Sequence, residues 1–160
     1  MPNQLLVGAV PNVYTKEQMQ EELDYLKEKE VKVIINLMEE KEIKTANQKL
    51  VDYTDFIENF ELLRFPIKDR TVPSKEKMMD ILDAIDEQLK QDKKVYLHCW
   101  GGLGRTGTVV GCYLLRHGLG IKENVFVCIN YLKAKSLLHN HQSPETEAQK
   151  KLILAWKINQ

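Results

Sequence analysis

The chain has 160 residues, 43% hydrophobic and 29% charged, which is enough apolar material for one globular domain spanning residues 1–160. Its 23 Lys and Arg balance its 23 Asp and Glu, so no basic field speaks for nucleic acid or an anionic membrane surface as partner. No apolar run approaches the roughly 20 residues of a membrane helix, no secretory leader pattern opens the chain, and three cysteines without paired spacing suit a reducing cytoplasm.

Leu5-Leu6-Val7-Gly8-Ala9-Val10 predicts a short strand that Pro11-Asn12 stops. Thr15, with Gln18 three residues on, reads as the capping box of a helix whose Met19, Leu23 and Leu26 share one face. Val31–Leu37 is a near-continuous apolar run of strand length, the pattern of a central strand covered on both sides. Glu39-Glu40-Lys41-Glu42 reads as a solvated charged patch, and a helix is expected around Asn47–Phe56. Glu61–Ile67 is a further strand, broken by Pro66, that delivers Lys68–Pro73 into a loop. Ser74 then caps a helix with Met78, Ile81, Leu82, Ile85 and Leu89 on one face, its Asp80, Asp83 and Asp86 being expected at the surface.

Lys94–Leu97 is the next β-prone run, followed by a glycine-rich turn and an apolar helix, Val109–Arg116, that ends at Gly118. A helix beginning near Lys122 carries Lys133 and Lys135 towards its end, expected in solvent or, alternatively, against a substrate phosphate. Ser143 as N-cap and Pro144 at the first helical position open the last helix, which Leu152, Ile153, Leu154 and Trp156 pack onto the domain. Cys112 and Cys128 read as small core residues, and His139 and His141 lack the second ligand pair a zinc site needs. Nothing repeats and no linker divides the chain. Alternating β and α elements predict an α/β fold: a central, mainly parallel sheet of about four to five strands flanked by helices.

Chemistry concentrates at His98-Cys99-Trp100-Gly101-Gly102-Leu103-Gly104-Arg105-Thr106-Gly107. The glycines let successive backbone N–H groups turn into one concavity, and the helix that follows adds unpaired N–H donors with partial positive charge. Trp100, Gly101, Gly102, Leu103, Gly104 and Arg105 thus form a cradle for phosphate, the Arg105 guanidinium gripping two oxygens at once. Positive surroundings favour the thiolate of Cys99, a nucleophile beneath the bound phosphorus. Thr106 is placed to donate its hydroxyl to that sulfur, and His98 to fix the loop through its backbone. The plain alternative is a glycine-rich strand-to-helix turn around a buried cysteine.

The pattern His98-Cys99-x5-Arg105-Thr106-Gly107 resembles the signature loop of the cysteine-dependent protein tyrosine phosphatases. The Gly101-Gly102-Leu103-Gly104 interior is most similar to the compact dual-specificity branch, including the kinase-associated phosphatase type. The resemblance implies Cys99 as nucleophile, Arg105 as phosphate clamp and Thr106 as the group that eases departure of the sulfur. It also implies a general acid on a loop upstream, and Asp69, 30 residues before Cys99, occupies that place. Without the signature loop, Asp69 reads as an ordinary turn residue. Thr146 and Gln149 match the family's Gln-Thr-x-x-Gln segment, which positions the hydrolytic water, but Glu145 stands where the first Gln belongs.

The expected activity is metal-independent and cofactor-free hydrolysis of phosphotyrosine, with phosphoserine and phosphothreonine as further substrates, through a phosphocysteine intermediate. A phosphoinositide or another small phosphate ester is the alternative substrate. Lipid-directed relatives tend to carry lysines inside the loop, and residues 100–104 contain none. A phosphate-binding module without catalysis would need neither the thiol nor the acid. The partner expected is therefore a phosphorylated protein or small phosphate ester, met by a cytoplasmic monomer, with no nucleic acid, membrane or metal.

Overall fold

Short apolar strands that leave one sheet edge by loops and return through helices can pair only in parallel, and they do so here. The computed structural model describes residues 4–11, 14–44, 51–133 and 141–160. Strands β1 (Leu5–Gly8), β2 (Val31–Asn36), β3 (Glu61–Arg64) and β4 (Lys94–His98) form one sheet in the order β1-β4-β2-β3, every pair parallel. The α/β class and the parallel sheet of four strands are as expected from the sequence. The helices are α1 (Lys16–Glu28), α2 (Lys41–Lys44), α3 (Lys75–Lys90), α4 (Gly104–Arg116), α5 (Val125–Lys133) and α6 (Glu147–Ala155). Among the described residues, no helix is long and apolar enough to cross a membrane.

Both sheet faces are covered, which is why β2 reads as an unbroken apolar run. Val33 and Ile35 of β2, with Val95 and Leu97 of β4, face a core shared with α3, α4, α5 and α6. Ile34 faces the other core, built on Met19, Leu23 and Leu26 of α1 with Tyr53 and Phe60. Thr15 Oγ1 accepts from the backbone N–H of Gln18 at 3.3 Å, so α1 is capped as its sequence predicts.

Several local expectations change. Within the described residues, the helix expected around Asn47–Phe56 reduces to a 3₁₀ turn at Tyr53–Phe56, started by Asp52, whose side chain accepts from the Thr54 N–H; residues 47–50 lie outside them. Helix α6 is capped by Thr146 rather than Ser143. Its capping box closes with Gln149, while the Ser143 hydroxyl donates to the Leu103 carbonyl at 2.8 Å. Ile153 and Trp156 pack this helix inward, but Leu154 is exposed. Asp86 is not a free surface charge: its carboxylate lies 3.5 Å from Arg116 Nε and 2.9 Å from His117 Nε2, tying α3 to the end of α4. Cys112 is buried as expected and burial pushes its thiol pKa up, whereas Cys128 is only partly covered. Lys135 and His139 lie outside the described residues, and His141 is exposed.

Candidate active site

The strand order brings three loops to one edge. β4 and β2 are the central pair, and the segments leaving β4, β2 and β3 emerge side by side at their C-terminal ends, where open α/β sheets bind ligands. Backbone hydrogen bonds stitch them together: Leu37 N–H to His98 O at 2.9 Å, and Ile67 N–H to Leu37 O at 2.9 Å.

After β4 the chain curls tightly into α4. Gly102 has φ +71, in the left-handed region, and a Cβ there would stand 2.5 Å from the Gly8 carbonyl carbon. The glycine therefore lets the loop press against the end of β1, where the Val10 N–H also donates to Trp100 O at 3.0 Å. Leu103 provides no side-chain cap to α4, so the helix's first N–H groups are free of a capping side chain at the site.

His98 is fully buried and bridges two elements. Its Nδ1 lies 3.1 Å from the Cys99 carbonyl oxygen and its Nε2 lies 2.7 Å from the Tyr53 hydroxyl. A carbonyl only accepts, so Nδ1 carries the hydrogen and the Tyr53 hydroxyl donates to Nε2. Burial depresses the imidazole pKa to about 4; the bond to the Cys99 carbonyl opposes that shift, while Arg105 and Arg64 add to it. His98 is thus a neutral, fixed brace beneath Cys99, which is itself 3% exposed.

Arg105, 2% exposed, is held from three sides. Glu42 meets it in a two-pronged pair, Oε1 to Nη1 at 2.5 Å and Oε2 to Nη2 at 2.9 Å. Nη1 also donates to the Ile67 carbonyl at 3.1 Å, and Nη2 lies 3.0 Å from Asp69 Oδ1. Burial disfavours the guanidinium charge, but the bonds to Glu42 and the proximity of Cys99 and Asp69 outweigh it and hold the pKa above its ordinary value. The charged run at Glu39–Glu42, expected in solvent, thus contributes a ligand of Arg105, the Glu42 side chain being only 15% exposed.

Glu42, Asp69, Cys99, Trp100, Gly101, Arg105 and Glu145 line one cleft of about 490 Å³. Of the predicted site residues, Cys99, Arg105, Asp69, Trp100, Gly101 and Glu145 therefore meet there. Gly102, Leu103 and Gly104 build the loop behind it; a Cβ on Gly104 would collide with the Glu145 carboxylate. Thr106 is buried, and its hydroxyl has no hydrogen-bond partner among the described residues. Gln149 is fully buried and does not line the cleft: its Oε1 accepts from the Glu145 and Thr146 N–H groups and its Nε2 donates to the Thr71 carbonyl. Glu42, Tyr53 and Ser143 are the participants that sequence reasoning missed. Among the described residues, no three His, Cys, Asp or Glu side chains converge as a metal site.

Comparisons with known proteins agree with this architecture. Residues 8–119 match the family model described as "Polymorphic toxin system, DSP-PTPase phosphatase". The chain is 29% identical over 119 residues to the tyrosine-protein phosphatase CDC14 of Candida albicans, covering 73% of this chain and 20% of that protein. Among solved structures it resembles Tk-PTP in its active form, with a TM-score of 0.62 and 29% identity over 84% of this chain and 82% of the other. Kinase-associated phosphatase, with serine in place of its catalytic cysteine, shares the fold at a TM-score of 0.74 and 20% identity over 91% of this chain and 80% of that one. The chain spans between about a tenth and a half of the length of the first curated relatives it matches.

Proposed function

Because this chain belongs to the dual-specificity branch of the cysteine-dependent protein tyrosine phosphatases, we propose that it hydrolyses phosphate monoesters on proteins, phosphotyrosine foremost and phosphoserine or phosphothreonine as well. The observation that carries this reading is the meeting of Cys99, Arg105 and Asp69, from the loops after two different strands, in one cleft. Binding phosphate alone calls for neither a thiol nor an acid.

The phosphate enters the loop at residues 99–105, held by backbone N–H groups and by Arg105, whose Nε has no partner among the described residues. Cys99 Sγ attacks phosphorus; the ester P–O bond breaks, and Asp69 gives its proton to the departing oxygen. Water then attacks the phosphocysteine and surrenders a proton to the Asp69 carboxylate, the S–P bond breaks, and phosphate and the cysteine are released. The Thr106 hydroxyl, without a hydrogen-bond partner among the described residues, is available to support the leaving sulfur. Glu145, which lines the cleft where Gln149 does not, is the better placed of the two to orient the water. Three cysteines without paired spacing suit a reducing cytoplasm, the setting proposed for this activity.

The test compares phosphotyrosine peptide, phosphothreonine peptide and a short-chain phosphoinositide in the presence of chelator. Turnover of the peptides without added metal is expected. Turnover confined to the phosphoinositide, or a strict need for added divalent metal, contradicts the proposal. Asp69→Asn should slow phosphotyrosine hydrolysis by about 10²–10⁴-fold. It should spare an ester of a strongly acidic phenol, which leaves without a proton. Equal losses on both esters would remove Asp69 from the acid's role.

A further inference from the structure

Gln149 makes contacts that the chemistry above does not use. It is fully buried at the start of α6, yet both ends of its amide are committed to segments that border the cleft. Oε1 accepts from the backbone N–H of Glu145 at 3.0 Å and of Thr146 at 3.1 Å. Nε2 donates to the Thr71 carbonyl at 3.3 Å, across 78 residues of sequence. The same Nε2 lies against the first residue of α4, 3.1 Å from where a Cβ on Gly104 would sit.

Thr71 is the closing residue of the turn that carries Asp69. Its N–H and its hydroxyl both donate to the Lys68 carbonyl, at 3.2 and 2.7 Å. Arg70 within that turn has φ +59, so the turn is a defined, tightly wound shape rather than a slack loop. Asp69 itself is 57% exposed in its side chain, and its ion pair is with Arg105. The carboxylate's position therefore depends on how the Lys68–Thr71 turn is held against the body, and Gln149 reaches that turn from α6.

We propose that Gln149 is a positioning residue for the proton donor: its amide straps the Asp69 turn to the Glu145 turn beside the start of α4, fixing the acid over the phosphate loop. The inference rests on the reading of Asp69 as general acid. It assigns Gln149 to the first chemical step, departure of the ester oxygen, rather than to placing the water of the second.

Gln149→Glu separates the roles. The substituted side chain keeps oxygens for the Glu145 and Thr146 N–H groups but sets a carboxylate oxygen, not a donor, against the Thr71 carbonyl. Thr71→Val loosens the turn that the strap holds, deleting the hydroxyl bond to Lys68 at a half-buried position while keeping the carbonyl that Gln149 binds. Each variant should lose about tenfold or more in kcat/KM on phosphotyrosine peptide, as misplaced acids do. On an ester of a strongly acidic phenol the loss should be small, the alkaline limb of the pH–rate profile should flatten, and no phosphocysteine should accumulate in rapid-quench experiments. An unchanged kcat/KM on both esters with a lowered kcat and phosphocysteine accumulating would assign Gln149 to the water step and overturn the proposal. So would an unchanged ratio between the esters. Asp69→Asn serves as reference: if it shows the ester selectivity and the Gln149 and Thr71 variants do not, the strap alone fails; if Asp69→Asn shows none, the acid assignment itself fails.

Discussion

Arg105 is a buried cation whose neighbours are two carboxylates, and Glu42 is the one that grips it with two oxygens. Removing Glu42 leaves the buried guanidinium only the more exposed Asp69 carboxylate, and breaking a buried pair outright typically costs about 3–5 kcal/mol, the upper bound here. Glu42→Gln should therefore destabilise the ligand-free protein strongly in urea unfolding, and saturating phosphate or vanadate should restore much of the loss by supplying the anion. No recovery on adding the oxyanion would mean that Glu42 braces the fold independently of the phosphate site. His98 makes a second prediction. The unfolded imidazole takes a proton near pH 6.5 and the folded one only near pH 4. Its contribution to stability is complete above pH 6.5 and erodes as the pH falls to 4, by about 3 kcal/mol over that window. His98→Asn should flatten that part of the curve, and a wild-type stability flat from pH 6.5 to 4 would contradict a buried neutral imidazole. Neither Glu42 nor Tyr53 was legible in the sequence, for one reason. Their partners lie 63 and 45 residues away, and no local periodicity reports a contact at that range.

The loop between β4 and α4 was legible because its chemistry is local: glycines, a cysteine and an arginine within a few residues. What the sequence did not distinguish is how each glycine serves. Gly102 combines a left-handed backbone with direct contact to the Gly8 peptide, while a Cβ on Gly101 would meet nothing within 4 Å. Gly102→Ala should lose about 1–2 kcal/mol from backbone strain alone, more from the collision, and phosphate affinity with it. Gly101→Ala should stay within about 0.5 kcal/mol of wild type in stability. Thermal unfolding of the pair checks this, and similar melting temperatures would mean the loop does not rest on β1. The start of α6 was misread for a related reason. Ser143 and Thr146 are equally good caps by local rule, and the choice falls to Thr146 because Gln149 closes the box there and Ser143 is bound to Leu103.

At the scale of the whole molecule, alternation of strands and helices was enough to infer a parallel α/β sheet, since periodicity and strand length report burial on both faces. The order β1-β4-β2-β3 was not readable, because strand order depends on which crossovers pack together, not on any one segment's pattern. That order is what sets the loops after β2, β3 and β4 around one cleft, and it turns Glu42, Asp69 and Cys99 into neighbours. The central claim is that Cys99 Sγ carries the phosphoryl group between ester and water. Rapid-quench mass spectrometry during turnover of a phosphotyrosine peptide, with chelator present, tests it most directly. The account predicts a phosphoryl group on the peptide containing Cys99 that forms before free phosphate and is absent from Cys99→Ser, a variant that still binds vanadate. Undiminished turnover in Cys99→Ser, or turnover by the wild type with no phosphocysteine at any time, would contradict it.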